Sequence, residues 1–211
     1  MSSRLWKIYK FDEKGYEASR SARDTVNSIL LKANDLWDKY RLHERQGEGE
    51  KARIFAADAS ALVEQGLYLQ DKLITPFTYD VAQFEQNLLL NEGITALQNL
   101  LTGAAATAFN NANSYLAVGD SSTAASATQT GLQASTNKLY KAVDANYPSI
   151  SNQTTTWQST FQSGDANFAW NEFTVASGSS DSSTNLNRKV SSQGTKASGQ
   201  VWTLQLAITW S

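Results

Sequence analysis

The C-terminal run Val201–Ser211 constrains the fold more than any other stretch of this chain. Trp202, Leu204, Leu206, Ile208 and Trp210 alternate without a break with Thr203, Gln205, Ala207, Thr209 and Ser211. Side chains on a strand alternate between its two faces, so this pattern predicts a half-buried strand. Its apolar face carries two indoles and three branched aliphatics, a surface that cannot stay in water. A second layer must cover it, which places the strand in a sandwich or barrel.

At 211 residues the chain suffices for one sizeable domain or two small ones. It has no cysteine and one histidine, His43, which excludes disulfides, thiolate metal sites and the usual zinc ligand sets. A net charge of -2 gives neither a basic footprint for nucleic acid nor a polybasic membrane patch. No apolar run approaches the ~20 residues of a membrane span. The N-terminus MSSRLWKIYKF lacks the apolar core of a signal peptide, so a product of the host cytosol without an export signal is expected.

Charge divides the chain. Residues 1–103 hold 13 Lys/Arg and 15 Asp/Glu, whereas residues 104–211 hold five of each and are dominated by small polar residues. The first regime suits helices with solvated faces, the second a β-rich shell. Arg4–Phe11 reads as a short strand ended by the turn-like run Asp12-Glu13-Lys14-Gly15. Over Ser21–Gln46, Val26, Ile29, Leu30, Ala33, Leu36, Trp37 and Tyr40 recur at helical steps, with Ser21 and Asp24 placed as a capping box. Gly47-Glu48-Gly49-Glu50 breaks that helix. A second follows over about 51–73, with Phe55, Leu62 and Leu69 in register. Helices joined by so short a loop fold back as an antiparallel hairpin.

Pro76 ends the hairpin, and residues 77–84 are extended in character. A short helix is predicted at about 91–102, capped by Asn91 and stopped by Gly103. β segments are predicted at Ser114–Val118, Thr154–Phe161, Asn167–Val175, Leu186–Val190 and Val201–Trp210, and Thr123–Gln133 reads as a loop.

The candidate chemistry is sparse. Gly47-Glu48-Gly49-Glu50-Lys51-Ala52 fits a dinucleotide fingerprint in letters only, since a helix rather than a strand precedes it and its glutamates repel phosphate. His43 stands near a helix C-terminus, where a solvated imidazole is the ordinary case. Asp120 in Val118-Gly119-Asp120-Ser121 reads as a turn carboxylate, without the further acids of a calcium loop. Asp165 and Glu172 could form a glycosidase pair, but sequence separation alone does not bring them together. Asn152-Gln153-Thr154 is a glycosylation acceptor only in an exported chain. Trp157 and Trp170 could stack on a sugar, while Trp202 and Trp210 belong to the apolar face. These residues give no enzyme and no cofactor.

Four blocks carry a resemblance: Asn87–Gly103, Phe109–Gln133, Thr156–Ala176 and Leu186–Ser211. Together, and with Arg4–Phe11 as a further segment, they resemble a group of tailed-bacteriophage virion structural proteins. The resemblance implies a β-module that serves in head decoration, necks or fibres, with no catalytic motif. The helical hairpin is an addition to that pattern. The expected fold is α+β: residues 1–18 give the first strand of an antiparallel β-sandwich, 19–74 the inserted hairpin, and 75–211 the remaining sandwich with its short helix. The expected role is a capsid decoration or cement protein that binds the major capsid protein, with a tail, neck or fibre component binding a host receptor or glycan as the alternative. The virion is the expected location. Neither nucleic acid nor membrane is an expected partner. Ile54, Ala61 and Tyr68 lie one heptad apart outside the main seam of the second helix. They predict a homo-oligomer, trimer ahead of dimer, with Ile54 and Tyr68 near the contact.

Overall fold

The computed structural model describes residues 4–69, 80–85 and 88–210. It divides into two units, one of residues 1–12 with 80–211 and one of residues 13–79. The fold is α+β, with two antiparallel sheets and three helices among the described residues.

The first unit is a β-sandwich. One sheet joins β1 (Arg4–Asp12), β2 (Asp80–Glu85), β6 (Ser149–Ser151), β7 (Thr154–Phe161) and β10 (Gln200–Thr209) in the order β2-β1-β10-β7-β6. The other joins β3 (Leu88–Leu89), β4 (Tyr115–Gly119), β5 (Lys138–Ala142), β8 (Glu172–Ala176) and β9 (Asn187–Val190) in the order β3-β9-β8-β4-β5. Strand β10 is central, with β1 and β7 on its two sides in antiparallel register. The alternation that predicted it holds: Trp202, Leu204, Leu206 and Ile208 are buried in the core. They meet Trp6 and Ile8 of β1, Trp157 and Phe161 of β7, and Leu116, Val118, Phe173 and Val175 of the opposite sheet. Aromatic rings bridge the sheets, with Trp6 5.7 Å from Phe173 and Trp170 4.8 Å from Trp202. Tilted and edge-on pairs of this kind suit the ring quadrupoles as well as the packing.

The outer face of the second sheet is buried as well. All of Glu172–Ala176 is inaccessible to solvent, and so are Leu116, Ala117 and Val118. A long loop, residues 120–137, reaches that face and buries Leu132 and Ala134 there. Helix α3 (Asn91–Thr102) docks at the far edge. Its Gly93 lies so close to β9 that an added Cβ would stand 2.3 Å from the Leu186 carbonyl oxygen.

Several local expectations are corrected. Asn91 is not the N-cap of α3; Leu90 is, and no side chain caps it. The Asn91 amide, one of the first-turn donors without an intrahelical acceptor, donates to Ala127 O at 2.8 Å, so a tertiary contact satisfies it. Gly93 lies inside this helix, at a close approach that only glycine permits. Gly103 does end it, at φ 75°, with its N–H directed at Asn99 and Leu100 carbonyls. The strand expected over Asn167–Val175 starts only at Glu172, since residues before it form a loop with a single bridge, Ala169 to Thr195.

The second unit is the helical hairpin. Helix α1 spans Glu13–Arg45 and α2 spans Gly49–Leu69. Asp12-Glu13-Lys14-Gly15 is therefore not a turn, and Ser21 with Asp24 lies within the helix rather than capping it. Glu13 puts an acid at the positive end of the helix dipole, which offsets part of the roughly 1 kcal/mol that a glycine at 15 costs. The seam between the helices is made of small residues. Ala33, Ala52, Ala59 and Gly66 are buried, and Gly66 leaves only 3.0 Å between an added Cβ and the Leu30 side chain. Residues 70–79, which include the expected end of the second helix, Pro76 and the start of the extended segment, lie outside the described residues.

Candidate functional site

Gly47-Glu48-Gly49 is the hairpin turn, with Gly47 at φ 75° and its amide bonded to Glu44 O. His43 contributes to that turn. Its Nδ1 lies 2.5 Å from Glu48 Oε2, and its ring stacks on Phe55 at 5.2 Å. The hydrogen bond from His43, followed by that from Lys51, holds the Glu48 carboxyl below its usual range. This is a device for closing the turn.

Asp120 likewise closes a turn: its carboxylate accepts from Asn137 Nδ2 at 2.8 Å and its carbonyl from Asn171 Nδ2 at 2.8 Å. Trp157 and Trp170 are 3% and 0% exposed, so neither offers a face to a sugar; Trp170 Nε1 donates to Ala166 O at 3.0 Å. Asp165 and Glu172 are not a pair. Each is bound to a different cation, Lys141 and Arg188 respectively.

Glu172 is the centre of a buried polar knot. Its carboxylate accepts from Gln133 N–H at 2.9 Å and Ala134 N–H at 2.7 Å. Arg188 donates to it twice, from Nε at 2.8 Å and Nη2 at 2.6 Å. Arg188 also donates from Nη1 to Gln129 Oε1 at 2.9 Å. Both charged residues are fully buried. Three residues of the 120–137 loop, Gln129 and the adjacent Gln133 and Ala134, are thereby tied to β8 and β9. Gly119 has to be glycine because an added Cβ would stand 2.4 Å from Glu172 Oε1. The knot holds a loop in place, and its charged centre, Glu172 with Arg188, presents nothing to solvent.

A second cluster ties the same loop system together. Asp181 accepts from Lys138 Nζ and, at 2.6 Å, from the Tyr140 hydroxyl. Burial and then the Asp181 hydrogen bond push the Tyr140 phenol well above its usual range.

A third lies below the loop that follows β7. Lys196 is fully buried, with Nζ donating to Gln162 O at 2.8 Å and to Asn167 Oδ1 at 2.9 Å. Asp165 stands beside it and accepts from Lys141 Nζ at 2.7 Å and from Gln162 N–H at 2.8 Å. Burial pushes the Lys196 ammonium down to about 8, against the opposing charge of Asp165. Burial pushes Asp165 up, but the Lys141 and Gln162 hydrogen bonds and the two lysine charges outweigh it and leave the carboxyl below its ordinary value. Neither Arg188 nor Lys196 stood out from sequence spacing. The available signal was their rarity, since only five basic residues occupy positions 104–211.

The hairpin carries the other candidate surface. Ile54 and Tyr68 are 58% and 63% exposed on α2, and Leu67 is exposed beside Tyr68. Among the described residues no three His, Cys, Asp or Glu side chains gather as a metal site. None of the described helices is long and apolar enough to cross a membrane. Comparison with protein-family models, with curated proteins and with solved structures finds no match.

Proposed function

We propose that this chain is a structural protein of a tailed-phage particle, a decoration or cement protein that binds the major capsid protein and stabilises the shell. The observation that carries the reading is that the four blocks resembling phage virion proteins supply most of the β-sandwich. They contain β3, α3, β4, β8, β9, β10, most of β7 and most of the loop pinned by Glu172. Two further features support a binding role. The candidate acids Asp165 and Glu172 are spent on internal ion pairs, and the hairpin exposes Ile54 and Tyr68. A cement protein acts by burying surface across subunit joints, which needs a rigid body and an apolar contact rather than a reactive centre. The burial of Trp157 and Trp170 removes the aromatic platform behind the glycan-binding alternative.

Copy number tests the proposal. Densitometry of purified particles should give hundreds of copies per virion, as repeated shell positions require. A handful per particle would move the protein to the neck or tail.

A further inference from the structure

We propose that Lys196 and Asn167 become joined by an isopeptide bond that the folded chain forms without help. The amine and the carboxamide are already in place. Lys196 Nζ lies 2.9 Å from Asn167 Oδ1, held there by a second hydrogen bond to Gln162 O at 2.8 Å. The backbone fixes the same approach: Lys196 N–H donates to Phe168 O at 3.1 Å, and Ala169 bridges Thr195. Two groups held in contact by a rigid scaffold react as if at very high concentration.

Burial selects the reaction. With 0% exposure, Lys196 is shielded from electrophiles in solution. The side-chain carbonyl it contacts belongs to Asn167, whose Cγ is the electrophile at hand. A lysine that has lost its proton is a nucleophile, and desolvation favours that neutral form. Here burial brings the ammonium down to about 8, so far more free amine is present near neutral pH than for an exposed lysine.

The step balances within the chain. The Nζ lone pair attacks Asn167 Cγ and a C–N bond forms. The proton that Nζ sheds as the bond forms passes through solvent at the exposed Asn167 side chain. A proton from the same solvent reaches Asn167 Nδ2, the Cγ–Nδ2 bond breaks, and ammonia leaves. An amine and a primary carboxamide become a secondary amide and ammonia, with no oxidant, reductant or cofactor. Asn167 itself is exposed, so ammonia departs directly into solvent. The product would be a covalent clip across a sequence separation of 29 residues, between the segment after β7 and the segment before β10.

Intact-mass spectrometry of the purified full chain, held at pH 8 for a day, tests this. The expected mass is the sequence mass less one ammonia, with a tryptic peptide pair linked through Lys196 and Asn167. Asn167→Ala, at an exposed position, and Lys196→Arg should both keep their full sequence masses. Asn167→Asp should lose one water instead. A wild-type chain at its full sequence mass overturns the proposal and leaves Lys196 as an ammonium that clips the loop. An ammonia loss that persists in Asn167→Ala overturns it too, because that loss would come from another asparagine.

Discussion

Removing the Glu172 carboxylate should unfold the sandwich far below its normal melting point. Glu172→Ala leaves the Arg188 guanidinium fully buried without its partner and strips the Gln133 and Ala134 amides of their acceptor. Breaking a buried ion pair from one side costs about 3–5 kcal/mol. A domain of this size loses about 2–4 °C per kcal/mol, which gives a fall of about 6–20 °C. Arg188→Ala should cost less, because the carboxylate keeps its two amide donors. The double variant should fall short of the sum by about 1–3 kcal/mol, as expected for residues in one network. Tryptophan fluorescence is the assay, since five of the six indoles, at 6, 157, 170, 202 and 210, belong to the β unit and only Trp37 to the hairpin. A Glu172→Ala protein melting within about 2 °C of wild type would refute the reasoning, because that corresponds to only about 1 kcal/mol. So would strict additivity of the pair.

Three other outcomes follow from the geometry. Gly93→Ala should lower stability by about 3 kcal/mol, the upper range for overpacking, because the clashing Leu186 atoms are backbone and cannot rotate away; a urea midpoint equal to wild type would contradict the close approach of α3. Tyr140 keeps its proton in the fold above the pH where an unfolded phenol ionises, so the unfolded state binds fewer protons there and stability falls as pH rises past about 10. Urea melts between pH 9 and 11 should show a shallower fall in Tyr140→Phe than in wild type. Ile54→Glu with Tyr68→Glu places charge on the exposed edge of α2 and should disperse a homo-oligomer without lowering the melting point of the sandwich; light scattering that finds the same size for both proteins would remove that edge from the contact.

What was legible in the sequence was what local periodicity controls. Strand β10 was readable because one face is core and the other is not, and β7 has the expected bounds, Thr154–Phe161. Strands β5 and β6 were not. They lie at the sheet edges, and Ser149–Ser151 is exposed throughout, so no apolar alternation marks them. The start of α1 was hidden by Gly15, which signals a turn locally but is outvoted by the helix around it. The polar clusters were the least readable. Glu172 meets Arg188, Gln133 and Ala134 only because β8, β9 and the long loop are brought together, and no spacing along the chain encodes that meeting. Lys196 and Asn167 are the same kind of case, 29 residues apart and joined by loop packing. Asp165 and Glu172, closer in sequence, are taken by different cations.

The most direct test of the proposed role is binding to the shell itself. Purified protein should be mixed with empty shells of the cognate major capsid protein, and the mixture sedimented over a range of concentrations. The account predicts saturable co-sedimentation at a fixed number of copies per shell, together with a raised shell melting temperature, because a ligand that binds only the assembled state stabilises it. Protein that stays in the supernatant at every concentration, with shell melting unchanged, would contradict it.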